Sequence, residues 1–145
     1  MNPRKFLGKE GRIKVIEAIK AAELNTSGEI RVHIESRIKG DALDRAVYVF
    51  SFIGMQKTRE RNGVLFYLAL ENRKFAILGD AGINAKVPED FWDRIKENLS
   101  VHFADGRFAE GLAEGILMAG KQLKKHFPRQ ADDANELKDD ISFGN

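Results

Sequence analysis

The side chains best suited to chemistry in this sequence are oxygen donors placed where apolar runs begin and end. Asp80 follows the run Lys74-Phe75-Ala76-Ile77-Leu78-Gly79 and precedes Ala81-Gly82-Ile83-Asn84. Asn62 stands before Gly63 and a second apolar run, and Glu29 opens a third segment. Glu89 and Asp90 follow Pro88. Carboxylates and amide oxygens, with backbone carbonyls that nearby glycines allow to turn inward, suit a hard cation such as Ca²⁺ or Mg²⁺. The same residue types are also ordinary turn and capping residues, so Asp80 and Asn84 carry a purely structural reading as well.

The elements around them follow from periodicity. Residues 7–24 predict a helix, with Ile13, Ile16, Ile19 and Ala22 near one face. Glu29–Glu35 alternates, sending Ile30, Val32 and Ile34 to one side and Glu29, Arg31, His33 and Glu35 to the other, which predicts a strand. Leu43, Ala46, Val47, Phe50 and Ile53 recur at helical spacing. Val64–Leu70 is apolar throughout, as in a central strand covered on both faces. Glu71–Arg73 turns the chain into Lys74–Leu78, a hairpin. Pro88-Glu89-Asp90 suits a helix start, and Phe91, Trp92, Ile95 and Leu99 supply that helix with an apolar face. Phe108, Leu112, Ile116, Ala119 and Leu123 predict a long helix ended by Pro128.

The order α-β-α-β-β-α-α predicts an α/β/α sandwich: a short mixed sheet with helices on both faces. The helix between the first two strands makes them parallel through a right-handed crossover. The hairpin then brings Asp80 beside Asn62, and one end of the sheet gathers Thr26, Ser27, Glu29, Asn62, Asp80, Asn84 and Asp90. The other end gathers Ser36, Asp41, Asp44 and the hairpin turn. Open α/β sheets favour that second end for ligands, but Asp41 before Ala42-Leu43 reads as a helix cap. The Asp80 end is the candidate metal site.

The 145 residues fit one domain, expected to span residues 1–127, followed by an acidic tail at 128–145. From Arg129 onward the tail carries five carboxylates against two basic side chains, which predicts mobility, although Leu137, Ile141 and Phe143 could dock. A net charge of +2 is too small to argue for nucleic acid. The absence of cysteine excludes a disulfide scaffold and a thiol nucleophile. His33, His102 and His126 are scattered without metal-ligand spacing and read as surface or partly buried histidines. There is no GxSxG elbow and no phosphate-binding glycine loop. No signal-like start or stretch of about 18 apolar residues is present, so a cytoplasmic location is expected.

Four segments together resemble the TPM-domain family. Thr26-Ser27-Gly28-Glu29-Ile30-Arg31-Val32 is similar to its TGxEIxV first strand, and Arg61-Asn62-Gly63-Val64-Leu65 to its NGVLL second strand. Phe75–Ile83 resembles its third strand and glycine loop. Phe103-Ala104-Asp105-Gly106-Arg107-Phe108-Ala109-Glu110-Gly111-Leu112 resembles its F+xGxYxxGL segment, with Phe108 where Tyr is common. The resemblance is to short, soluble, bacterial stand-alone versions of the domain. It implies the α/β/α sandwich, divalent-cation binding (chiefly calcium) at one end of the sheet, and an acid-phosphatase activity reported for plastid relatives. Asp80 carries over from the family pattern most directly, with Glu29, Asn62 and Asp90 behind it. Three expectations follow: a cation-binding domain that regulates a protein partner, a metal-dependent phosphomonoesterase in which Lys57, Arg59 or Arg61 counters phosphate charge, or a ligand-free interaction module.

Overall fold

A computed structural model of the chain describes residues 2–129 and 141–144. The chain runs α1 (Gly8–Glu23), β1 (Glu29–Glu35), α2 (Ala42–Phe52), β2 (Gly63–Ala69), β3 (Lys74–Gly79), α3 (Ala81–Asn84), α4 (Phe91–Ala104), α5 (Phe108–His126) and β4 (Ile141–Phe143). Short 3-10 turns lie at Pro3–Lys5 and Met55–Lys57. The four strands lie in the order β3-β2-β1-β4. β1 pairs in parallel with β2, Glu29 opposite Gly63 and Glu35 opposite Ala69. β2 and β3 form the antiparallel hairpin, with Val64 opposite Gly79. The α/β/α sandwich and its mixed sheet are as the periodicity predicts.

The pleat of β2 divides the interior. Val64, Phe66 and Leu68 join Ile30, Val32 and Ile34 in a core shared with α1, α4 and α5. Leu65, Tyr67 and Ala69 face the other way, onto Ala46, Val49 and Phe50 of α2 and Met55. A strand buried on both faces has no reason to alternate, which is why β2 is apolar throughout.

The element order gains a short helix, α3, and a fourth strand. Ile141–Phe143 pairs in parallel with Val32–Ile34, so the sheet takes in residues beyond the boundary expected at 127. Leu137, and the mobility expected of residues 130–140, lie outside the described residues. α4 begins at Phe91, three residues after Pro88; Phe91 N–H closes a turn onto Pro88 O. Ile13, Leu43 and Val47 are about half exposed, not inward as their spacing suggested. Val15 and Ile19 of α1 are fully buried, Ile19 as its spacing suggests. Ala18 and Ala22 face inward, and a Cβ on Gly120 of α5 would sit 2.8 Å from Ala22 Cα, so the two backbones approach closely there.

Candidate functional site

The candidate site forms where β1 and β2 begin and β3 ends. Hairpin pairing continues past the strand: Asp80 N–H donates to Gly63 O at 2.9 Å, and Gly82 N–H to Arg61 O at 2.8 Å. Gly82 has to be glycine for this approach, because a Cβ there would lie 2.0 Å from Glu60 O. Asp80 is thereby fixed beside Asn62, as the hairpin predicted.

The Asp80 carboxylate caps α3, accepting Ala81 N–H at 2.8 Å. It also accepts two bonds from Arg61, from Nε at 2.6 Å and Nη2 at 2.8 Å. This fork-on-carboxylate pairing is the strong, charge-assisted kind. Arg61 reaches it from a left-handed backbone, φ 53°.

Asn62 is buried, and its amide Nδ2 donates to Ser27 Oγ at 3.1 Å. Ser27 in turn donates to Glu60 Oε2 at 2.6 Å. Asn62 Oδ1, fully enclosed, meets no hydrogen-bond partner among the described residues. A buried amide oxygen without a donor is costly, and it marks a place that a ligand, ion or water would satisfy. Glu29 is buried at the start of β1 opposite Gly63.

Two expected ligands are used differently. Asn84 donates from Nδ2 to Gly79 O and accepts Trp92 Nε1–H, both at 2.8 Å, clasping the end of β3 to α4. Asp90 is exposed at the start of α4 and pairs with Arg94 at 3.6 Å. The structure therefore brings Asp80, Asn62 and Ser27 together with Glu60 and Arg61. The sequence reading offers Lys57, Arg59 or Arg61 as the counter to phosphate charge and does not include Glu60 among the ligands. The donors are hard oxygens, as Ca²⁺ or Mg²⁺ requires. Among the described residues, however, no three His, Asp or Glu side chains converge as a ready cage.

At the second end, Asp41 caps α2, accepting Asp44 N–H at 3.1 Å. His33 is buried, deeper than the surface or partly buried position the sequence suggests. Its Nε2 lies 3.2 Å from Glu35 and its Nδ1 2.7 Å from Ser142 Oγ of β4. Glu35 also accepts from Arg45 Nε at 3.0 Å. Burial lowers His33 below its ordinary 6.5 against the opposing pull of Glu35; Arg45 and Arg31 push the same way as burial. Burial, then Glu35, raises the neighbouring Tyr67 hydroxyl. His33 and Glu35, on the polar side of β1, are thus buried and internally paired.

No helix among the described residues is long and apolar enough to cross a membrane. A family model described as the TPM domain matches residues 1–122. The NMR structure of BA42 from the psychrophilic bacterium Bizionia argentinensis is 46% identical, with a TM-score of 0.88 over 97% of each chain. The N-terminal domain of a protein from P. gingivalis shares the fold at 22% identity and TM-score 0.69, over 87% of this chain and 83% of that one. The N-terminal domain of cg2496 from Corynebacterium glutamicum does so at 13% and 0.63, over 92% and 78%. No curated protein shows significant similarity. With three of the sequence segments at β1, β2 and β3, the fourth at the turn from α4 to α5, and the family model spanning most of the chain, this protein belongs to the TPM-domain family.

Proposed function

We propose that the protein is a divalent-cation-binding domain, Ca²⁺ first and Mg²⁺ second, whose site lies around Asp80 and Asn62. The observation that carries this reading is the enclosed, unpartnered Asn62 Oδ1 beside a buried carboxylate. Asp80, Asn62, Ser27 and Glu60 would supply side-chain oxygens, with carbonyls and water completing the six to eight that Ca²⁺ takes. Arg61 acts as the resident counter-charge: its guanidinium neutralises Asp80 until a cation displaces it. Binding would then release a basic side chain and reorder the Thr58–Asn62 loop, which suits a regulatory role towards a protein partner.

Phosphomonoester hydrolysis demands a very large barrier reduction, from a metal-activated water, a nucleophile or a dense cationic clamp. Arg61, the cation at the site, is engaged by Asp80 and is not part of such a clamp. The reading therefore stops at binding. An amide NMR titration with Ca²⁺, and Mg²⁺ in parallel, tests it. Saturable shifts at Ser27, residues 60–63 and residues 79–84, weakened in Asp80→Asn, are expected. Absence of saturable shifts at millimolar metal, the weak end of natural calcium sites, would overturn it.

A further inference from the structure

A second feature lies at the far end of the sheet, where β2 ends and the hairpin turns. A groove of about 640 Å³ opens there, between the hairpin, the turn from α4 to α5, and Phe6. Ligand pockets commonly fall between about 300 and 1,000 Å³. This end is also where open α/β sheets place ligands.

Its wall is a run of four partly exposed phenylalanines. Phe6 meets Phe108 with ring centroids 4.7 Å apart, Phe108 meets Phe103 at 5.1 Å, and Phe103 meets Phe75 at 5.3 Å. Two cations stand at the lip. Arg73 holds the hairpin turn in a left-handed conformation, φ 52°, and Lys74 opens β3. Both are exposed, and neither forms an ion pair among the described residues. The nearby acids Asp105 and Glu110 are committed to Arg107. An apolar wall with two unpaired cations at its lip is complementary to a molecule with an apolar tail and one anionic head.

The geometry points to a binding site for an amphipathic monocarboxylate, a free medium-chain carboxylate, with its chain against Phe75, Phe103 and Phe108 and its carboxylate at Arg73 and Lys74. The phenylalanines supply apolar contact that any acyl chain can use. The two cations select the charged head over an uncharged one. This site is independent of the cation site at the other end of the sheet.

The test is an amide NMR titration of the full chain with decanoate, and with decanol as the uncharged control. Saturable shifts are expected at Leu70, Lys74, Phe75, Phe103, Gly106 and Phe108, with decanoate binding more tightly than decanol. The double variant Arg73→Gln, Lys74→Gln changes only exposed side chains. It should weaken decanoate about tenfold and leave decanol unchanged. The exposed apolar face of α2, with Leu43, Val47 and Phe52, is the internal control. Four results would each overturn the assignment. They are no saturable shifts, equal weakening of both ligands in the double variant, shifts centred on α2, and the same groove shifts on raising protein concentration without ligand, which would make a second copy the occupant.

Discussion

Arg61 and Asp80 form a two-pronged ion pair across the mouth of the β2–β3 hairpin, with Arg61 Nε 2.6 Å and Nη2 2.8 Å from the carboxylate. The pair is one-sided in exposure: the Asp80 side chain is 7% exposed and that of Arg61 53%. A cation arriving from solvent would meet the arginine first and the carboxylate behind it. The same carboxylate caps α3, so its two roles are separable by mutation. Asp80→Ala should destabilise the fold by about 1 kcal/mol through the lost cap, measured by urea unfolding. Asp80→Asn retains a capping oxygen and should cost less. Equal losses would remove capping from the account.

Gly82 and Gly28 give a paired packing test. A Cβ at Gly82 would meet backbone, Glu60 O at 2.0 Å and Arg61 O at 2.7 Å. At Gly28 it would meet the end of a flexible side chain, Leu123 Cδ2 at 2.6 Å. Gly82→Ala is expected to cost at least about 2 kcal/mol, and Gly28→Ala about 1 kcal/mol, because leucine can rotate and a carbonyl cannot. Denaturant midpoints measure both. A harmless Gly82→Ala would mean that the Arg61–Gly82 contact is not needed to hold the site.

The buried His33 predicts a pH dependence with a definite sign. Burial is the main cause that lowers its folded-state pKa below the ordinary 6.5; Arg45 and Arg31 add to it, and Glu35 opposes it. Between the folded value and 6.5, the unfolded chain binds more protons than the folded one, so stability rises with pH in that window and is lost as pH falls through it. The melting temperature should drop as pH is lowered from about 7 towards 5. His33→Gln should flatten part of that slope. An imidazole titration by NMR with a midpoint above 6.5 would reverse the sign and contradict this reading.

β4 is three residues long, yet it ties several elements together. Ile141 is buried opposite Val32, Ser142 meets His33, and the Phe143 ring lies under the guanidinium groups of Arg4 and Arg12 at 5.1 and 5.3 Å. Ile141→Ala is expected to cost about 2 kcal/mol, the low end for a buried isoleucine, because an edge strand can relax. Hydrogen exchange at the Gly144 amide, which donates to Ile34 O at 2.9 Å, should speed up with it. Unchanged exchange would show that β4 is held by contacts other than Ile141.

Much of this fold is legible in the sequence because its signals are local. The alternation of Glu29–Glu35, the unbroken apolar run of β2 and the short polar turn at Glu71–Arg73 fix three strands and their directions, and from these the closeness of Asp80 to Asn62. What stayed hidden depends on partners far along the chain. Nothing near Ile141 announces that it will pair with Val32. The polar side of β1 alternates like a solvated face, but it is buried because Glu35 finds Arg45 and His33 finds Ser142. The inward face of α1 is Val15, Ala18, Ile19 and Ala22, with Ala22 allowing the close approach of Gly120, while Ile13 stands half exposed. Asp80 is legible from its position after a strand. Its partner, Arg61, lies 19 residues away and reaches it only through a left-handed backbone that no pattern specifies.

The most direct test of the cation-binding account is calorimetric titration of Ca²⁺ into the wild-type chain, Arg61→Ala and Asp80→Asn side by side. If Arg61 is the counter-charge that a cation displaces, Arg61→Ala should bind Ca²⁺ several-fold more tightly than wild type, and Asp80→Asn should bind more weakly than either. Calcium binding that is equal in all three proteins, or absent from all three, would contradict it.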